Sequence, residues 1–182
     1  MSETTGPVLV IGGTGMLRPA VGELLQQGHT VVTVARSPER AAAAVEHPGT
    51  FVPVVARWED PPALVDAVLA ATSGQLASGA ILWVHTPHRT ALMHELARAL
   101  VTDPVVLHTW GSAVTDPRLV PQEERDMPRR GDVLDVFLGY ALEGNQRRWL
   151  TNAEVSAGVL EAWTHRLTNH AVGQIDPWDQ RP

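Results

Sequence analysis

Short apolar runs alternate along this chain with longer stretches in which apolar residues recur every three or four positions. The short runs are typical of buried strands, and the longer stretches are typical of helices with one apolar face. Their alternation predicts consecutive βαβ units, which assemble into a parallel sheet covered by helices. The predicted strands cover residues 8–11, 30–34, 51–55, 80–84, 105–107 and 133–138.

Capping residues indicate where the predicted helices begin. Ser37 precedes Pro38, and Asp60 precedes two prolines, so both are expected as N-caps with proline in the first turn. Thr151 and Glu154 form a capping box before the last helix. The apolar positions that give the helices a buried face are Leu17, Val21, Leu24, Leu25, Leu64, Val68, Ala71, Leu92, Leu96, Leu100, Val155, Val159, Leu160 and Trp163.

The segment from residue 111 to residue 132 is rich in Pro, Arg, Asp and Glu, which indicates a long loop. A lid over a ligand is one interpretation of this loop. The tail after residue 171 has room for a short edge strand before Pro177. Because neither an internal repeat nor a flexible linker interrupts the pattern, we expect one domain over residues 1–182. The predicted architecture is a three-layer, doubly wound α/β fold with a mainly parallel sheet of six or seven strands.

Composition narrows the function classes. With 182 residues and 44% hydrophobic content, the chain is long enough for one well-packed α/β domain. Its net charge of −6 disfavours nucleic-acid binding, because an acidic surface repels phosphate backbones. The absence of cysteine excludes disulfides and thiolate nucleophiles. No apolar run could span a bilayer and the first residues do not resemble a signal peptide, so a cytoplasmic protein without a membrane partner is expected.

A glycine-rich turn follows the first predicted strand and opens the first predicted helix. Glycine lets the backbone turn sharply and approach a pyrophosphate, and the helix N-terminus offers N–H groups and a positive dipole end. The turn therefore predicts a Rossmann fold that binds a dinucleotide, the alternative being a tight turn without a ligand. The expected binding residues are Gly12, Gly13, Thr14, Gly15, Met16 and Leu17.

The end of the second strand bears on which dinucleotide binds. Folds that prefer NAD place Asp or Glu there to accept hydrogen bonds from the ribose 2′-OH. This chain has Arg36 and Ser37 at that position, and Arg40 follows within reach. Guanidinium groups pair with phosphates, so we expect NADP(H) as the cofactor, bound by all three side chains. Ordinary solvated arginines are the alternative interpretation.

The sequence GGTGML at residues 12–17, together with VAR at residues 34–36, resembles the short-chain dehydrogenase/reductase superfamily. It looks most like the extended and atypical members, including NmrA-like proteins. The resemblance implies the Rossmann fold and NAD(P) binding over roughly residues 7 to 115. Two positions depart from it: Arg18 stands where a third glycine is common, and Arg57 lies in the stretch where many members carry an Asp that contacts adenine.

The larger departure concerns catalysis. Typical members of the superfamily use a Tyr-x-x-x-Lys pair, in which Lys lowers the pKa of the Tyr that protonates the substrate. Here the only tyrosine is Tyr140, with Gly144 four residues later, and all 14 basic residues are arginines. The resemblance therefore implies an atypical member without that pair. Ser112 stands where the family's substrate-binding serine is found.

Ligands of a doubly wound sheet lie outside the carboxyl ends of the strands, near the switch point between the first and fourth strands. The candidates there are His85, Thr86, His88, Trp110, Ser112 and Tyr140. Thr86 is expected to contact the cofactor, and His85, Ser112 and Tyr140 are the candidate catalytic residues. His85 is the first choice as proton donor because an unperturbed imidazole titrates near neutral pH. Each has a purely structural alternative, and the eight histidines show no metal-like cluster.

Three functions remain open. The first is an NADP(H)-dependent reductase of a small carbonyl or imine compound, using a non-standard proton donor. The second is a non-catalytic NADP-binding redox sensor or regulatory protein, as among NmrA-like proteins. The third is a redox-neutral enzyme, such as an isomerase, that uses the nucleotide structurally. A small-molecule substrate is the expected partner, and a homodimer is expected by analogy with such folds.

Overall fold

The computed structural model describes residues 6–42, 46–111, 116–120 and 131–182. The strands in these residues are β1 (Val8–Ile11), β2 (Thr30–Ala35), β3 (Thr50–Val55), β4 (Ala77–Leu82), β5 (Leu100–Trp110), β6 (Asp132–Leu138), β7 (Tyr140–Glu143), β8 (Gln146–Trp149) and β9 (His170–Val172). The α-helices are α1 (Arg18–Gln26), α2 (Pro61–Ala71), α3 (His88–Leu96) and α4 (Asn152–His165). Short 3₁₀ helices cover Pro38–Ala41, Pro117–Leu119 and Trp178–Gln180.

The main sheet has seven parallel strands in the order β3-β2-β1-β4-β5-β6-β9. This confirms the predicted doubly wound fold, with every neighbouring pair parallel. The strand order reverses between β1 and β4, so a crevice opens at their carboxyl ends. The antiparallel hairpin of β7 and β8 lies outside this sheet.

The core lies on both faces of the sheet, as the alternation of side chains requires. In β1, Val8 and Val10 pack with α1 and α4, whereas Leu9 and Ile11 pack with α2 and α3. Burying each such side chain contributes about 1.5–3 kcal/mol before the entropy of ordering the chain is subtracted. The layers fix the carboxyl ends of β1, β2, β3 and β4 side by side.

The predicted bounds of β4 and β5 are wrong at both ends, since the strands cover Ala77–Leu82 and Leu100–Trp110. β4 ends at Leu82, so Trp83 and Val84 lie beyond the strand. β5 begins at Leu100, five residues before the predicted start at Val105, and continues to Trp110. Leu100 was expected in the preceding helix, because a buried apolar residue fits the end of a helix and the start of a buried strand equally well.

The observed N-caps show which of the predicted helix starts are confirmed. Asp60 accepts a hydrogen bond from the Ala63 N–H at 3.2 Å, and the reciprocal capping box of Thr151 and Glu154 is present. The prediction at Ser37 is wrong in extent: Pro38–Ala41 forms only a 3₁₀ turn, and the Ser37 side chain makes no capping bond. Four residues give too few hydrogen bonds to propagate an α-helix, so the turn depends on its buried Pro38 and Ala41.

The C-terminal part contains one predicted and one unpredicted feature. The edge strand before Pro177 is confirmed as β9, which pairs with β6. The β7–β8 hairpin was not predicted, since residues 140–149 are mostly charged or polar and show no clear alternation. Only residues 116–120 and 131 of the predicted loop's interior are described, so the lid interpretation stays untested. No helix in the described ranges has the length and apolar character needed to cross a membrane.

Candidate functional site

The glycines of the turn between β1 and α1 serve different purposes. Gly12 has a φ of +86°, and a Cβ there would lie 2.6 Å from the Trp83 carbonyl oxygen. A Cβ on Gly13 would meet Val10, Thr33 and Val21 at 3.0–3.2 Å. Gly13 thus allows α1 to approach the sheet closely. Close packing of helix and strand is the role of the third glycine in such turns, and Arg18 takes that glycine's place here.

Gly15 is different, because no protein atom lies within 4 Å of the position that its Cβ would occupy. Neither its backbone angle nor its packing requires glycine, yet its open side faces a cavity. Among the described residues, the N–H groups of Thr14 and Gly15 donate to no protein oxygen. Two free N–H groups in front of a helix N-terminus, with open space at the Cβ position of Gly15, suit the close approach of a phosphate.

A serine on α4 holds this turn in place. The buried Ser156 hydroxyl donates a 2.8 Å hydrogen bond to the Met16 carbonyl oxygen. The contact joins residues 140 positions apart in the sequence. It connects the turn to the helix that packs beside α1, so the position of the turn depends on the C-terminal half of the chain.

A cavity of about 620 Å³ extends from this turn to the ends of β2 and β3. The predicted cofactor residues that line it are Gly12, Thr14, Gly15, Met16, Arg36, Ser37 and Arg40. Gly13 and Leu17 are buried behind the turn and stabilise it from below. Thr86 is exposed and is not among the lining residues.

Three arginines surround the outer part of the cavity. Arg36 follows β2, Arg40 lies on the 3₁₀ turn, and Arg57 follows β3. All three side chains are exposed, and none forms an ion pair with a carboxylate in the described part of the chain. Among the described residues of the lining, Glu59 is the one acidic residue. Three guanidinium groups against one carboxylate favour a ligand with more negative charge than a single phosphate diester.

The residues present fit a dinucleotide with a 2′-phosphate. The open space over Gly15 and the free N–H groups suit the pyrophosphate, and the arginines after β2 and β3 suit a phosphate on the adenosine ribose. Trp58 lines the same cavity and offers an aromatic surface near the arginines. These residues, at the carboxyl ends of β1, β2 and β3, are called the adenosine-binding end below, after the part of the ligand that they would suit.

Sequence reasoning missed several residues of this site. Arg57 was noted only because an expected Asp is absent there, and Trp58 was not assigned to the site, although the rule that pointed to Arg36 at the end of β2 applies equally to the end of β3. Trp83 was placed inside β4, which hid its position in the lining. No local signal could have found Ser156, since its partner is 140 residues away.

His85 lies beside the cavity rather than in its lining. Its ring makes edge contacts with Trp83 and Trp58, with centroids 5.0 Å and 5.8 Å away. Loss of solvation between these rings, together with the charge of Arg89, lowers the pKa of His85 below its usual 6.5. The imidazole is therefore mostly neutral at pH 7, which limits its supply of protons without excluding the donor role. Ser112 lies outside the described residues.

Tyr140 lies in a different environment. Its side chain is buried, and its hydroxyl donates a 3.4 Å hydrogen bond to the Pro177 carbonyl oxygen in the tail. Its backbone pairs with Gln174. Tyr140 is absent from the lining of the nucleotide cavity, and the structure does not bring it into contact with His85. The Tyr140 hydroxyl, a candidate proton donor, is thus engaged in a hydrogen bond within the protein and away from the nucleotide cavity.

A buried polar cluster lies on the α3 face of the sheet, around the end of β5 and the middle of β6. Trp110 donates a 2.7 Å hydrogen bond to Asp135, and the Arg89 guanidinium lies 3.5 Å from the centre of the Trp110 ring. His108 stacks on Trp110 and is fully buried; burial and the Arg89 charge lower its pKa to about 3. Arg89 also donates to the Val84 carbonyl oxygen at 3.0 Å. The cluster is held together by its own contacts.

No protein-family model matches this sequence, and comparison with curated proteins gives no match. Comparison with solved structures gives matches over nearly the whole chain. A short-chain dehydrogenase/reductase from Serratia marcescens is 17% identical, with a TM-score of 0.63 over 93% of this chain and 95% of its own. The protein chuY from E. coli CFT073 is 18% identical, with a TM-score of 0.61 over 97% of this chain and 100% of its own.

A third similar structure is the MalC reductase/Diels-Alderase of Malbranchea aurantiaca, with 13% identity and a TM-score of 0.62 over 93% of this chain and 94% of its own. The chain therefore has the fold found in short-chain dehydrogenases/reductases. At identities of 13% to 18%, this similarity establishes the fold, whereas the activity must be argued from the side chains of the site.

Proposed function

We propose that this protein is an atypical member of the short-chain dehydrogenase/reductase superfamily that binds NADP(H) and reduces a small carbonyl or imine compound. The observation that carries the proposal is the adenosine-binding end. Arg36, Arg40 and Arg57 stand around one cavity without carboxylate partners in the described residues, next to a Gly15 whose Cβ position is empty. A bound phosphate would supply the negative charge that these guanidinium groups lack among their described neighbours.

The chain's own residues have distinct tasks in this proposal. The N–H groups of Thr14 and Gly15 hold the pyrophosphate, and Arg36 and Arg40 hold the 2′-phosphate as charge-assisted hydrogen-bond donors. The bound nicotinamide supplies or accepts a hydride. His85 is the best-placed proton donor among the described candidates, because it contacts Trp83, which itself lines the cavity. Its lowered pKa favours reduction at mildly acidic pH.

A second function has an observation in its favour. The Tyr140 hydroxyl is engaged with Pro177, and the chain contains no lysine, so the usual Tyr-Lys chemistry is unavailable. The polar groups at the ends of β5 and β6 are packed against one another. Such an arrangement suits a protein that binds NADP(H) and signals its redox state to a partner instead of catalysing reduction.

The experiment combines a calorimetric titration with a turnover screen. We expect NADPH and adenosine 2′,5′-bisphosphate to bind the wild-type protein and NADH to bind more weakly. We also expect NADPH consumption with at least one member of a panel of aldehydes, ketones and cyclic imines. Binding without turnover of any panel member would favour the sensor. Failure of both phosphorylated ligands to bind would contradict the proposal itself.

A further inference from the structure

Trp83 occupies a special place in the crevice between β1 and β4. Its backbone N–H donates to the Ile11 carbonyl oxygen at 2.9 Å, which fixes the residue directly beside the end of β1. A Cβ on Gly12 would lie 3.3 Å from the Cδ1 atom of its indole. A Cβ on Gly111, just after β5, would lie 2.9 Å from the Cη2 atom at the opposite end. The indole therefore spans the carboxyl ends from the glycine-rich turn to β5.

Both neighbouring glycines make room for this ring. Any side chain at Gly111 would collide with the six-membered ring of the indole, and a side chain at Gly12 would approach its five-membered ring. The indole is only partly buried; it packs on the core at the α1 and α4 side and also lines the nucleotide cavity. One part of a rigid, flat aromatic surface is thus left for a ligand.

The position of the ring relative to the adenosine-binding end suggests which part of a ligand it meets. The arginines lie at the ends of β2 and β3, on one side of β1, whereas Trp83 follows β4 on the other side. A dinucleotide that binds across the switch point places its two bases on opposite sides of β1. The half distal to adenosine must then pass over Trp83.

We infer that the Trp83 indole is the platform against which the nicotinamide half of the dinucleotide packs. This inference rests on the proposed binding of NADP(H) and adds a specificity-determining residue to it. Stacked aromatic rings stabilise each other by about 0.5–1.5 kcal/mol beyond the area that they bury. Because His85 makes a T-shaped contact with the same indole, with ring centroids 5.0 Å apart, a ring packed there would also lie near the candidate proton donor.

Two ligands separate the two halves of the site. Adenosine 2′,5′-bisphosphate reaches only the adenosine-binding end, whereas NADPH reaches both ends. We expect Trp83→Ala to weaken NADPH by about three- to tenfold and to leave adenosine 2′,5′-bisphosphate within about twofold of wild type. Trp83→Phe retains an aromatic surface and should recover most of the NADPH affinity. NADPH should quench tryptophan fluorescence less in Trp83→Ala than in the control Trp149→Ala, an exposed tryptophan on β8.

Each outcome can be assigned. If neither ligand binds the wild-type protein, the proposed function fails. If adenosine 2′,5′-bisphosphate binds but Trp83→Ala leaves NADPH affinity unchanged or increases it, only the platform is contradicted; an increase would mean that the indole obstructs the nicotinamide. Equal losses for both ligands would show that Trp83 acts through the general structure of the crevice, which also contradicts the platform.

Discussion

The two ends of the crevice use polar residues in opposite ways. At the ends of β2 and β3, Arg36, Arg40 and Arg57 are exposed and have no carboxylate partners in the described residues. Around the end of β5, Arg89 of α3 and Asp135 in the middle of β6 are buried, and both contact Trp110. The first group has charge to offer to a ligand, whereas the charge of the second is already engaged within the fold.

The comparison indicates that exposed charge around a cavity is evidence for ligand binding, whereas buried charge with satisfied contacts is evidence for packing. Buried ions are stable only when neighbours satisfy them, so a buried charged cluster is weak support for a ligand site. The exposed arginines around the cavity are not explained in this way, because no carboxylate in the described residues pairs with them. The account therefore assigns ligand binding to the first group and structural stabilisation to the second. The following predictions test that division, beginning with the largest expected effect.

The largest effect concerns His108, which is fully buried and neutral with a pKa of about 3. The unfolded chain binds a proton near pH 6.5 and the folded chain does not, so folding stability is fully present above pH 6.5 and falls as the pH decreases toward 3. The loss attributable to His108 between pH 7 and pH 4 should be about 3 kcal/mol. Urea unfolding of His108→Leu should show a smaller decrease over that range, whereas His29→Gln on the surface should match wild type. Equal pH dependence in all three would contradict the buried neutral state.

The next effect compares two candidate proton donors, His85 beside the nucleotide cavity and Tyr140 away from it. If His85 donates the proton, His85→Gln should lower turnover by about 100-fold or more while NADPH binding changes little. Wild-type turnover should rise as the pH falls toward the lowered pKa of His85. Tyr140→Phe should leave turnover nearly unchanged, because that hydroxyl is engaged with Pro177. Loss of turnover in Tyr140→Phe alone would reverse the assignment.

A third effect distinguishes the glycines of the turn. Gly15→Ala places a methyl group in the empty space that the pyrophosphate is proposed to approach, so NADPH affinity should fall by about tenfold or more. Thermal stability should stay close to wild type. Gly12→Ala should instead destabilise the fold by about 1–2 kcal/mol or more, because of its positive φ and its contact with Trp83. Unchanged NADPH affinity in Gly15→Ala would contradict the proposed position of the pyrophosphate at this turn.

The smallest effect concerns the serine that holds the turn. Ser156→Ala removes a buried hydrogen bond to Met16 and should cost about 1 kcal/mol of unfolding free energy, with a several-fold loss of NADPH affinity. Ser78→Ala is the matched control, since Ser78 also donates to backbone carbonyls but at the opposite end of β4. It should cost similar stability and no affinity. Identical affinity losses in both variants would deny Ser156 a positioning role.

The sequence allowed the sheet and the glycine-rich turn to be predicted because their signals are local. The apolar period of β1, the glycines after it and the caps at Asp60 and Thr151 all act over a few residues. Features made by distant contacts could not be predicted in this way. The hydrogen bond from Ser156 to Met16 and the proximity of the Trp83 ring to Gly111 depend on which elements become neighbours in the fold.

Burial explains the remaining misjudged residues. Tyr140 was a candidate catalytic residue, whereas in the structure its side chain is buried and its hydroxyl donates to Pro177 in the tail. Arg57 was treated as a missing contact, although it stands with Arg36 and Arg40 around the same cavity. The sequence shows both residue types. Only the packing of the strands and the tail determines that the Arg57 side chain lies at the cavity and the Tyr140 side chain in the interior.

The central claim is that the arginines around the cavity hold a 2′-phosphate. Calorimetric titration of NADPH and NADH into wild type, Arg36→Ala and the surface control Arg98→Ala tests it most directly. We predict that Arg36→Ala weakens NADPH by about 1–3 kcal/mol, leaves NADH nearly unchanged, and that Arg98→Ala alters neither. Equal losses of NADPH and NADH in Arg36→Ala, or no loss of either, would contradict the account.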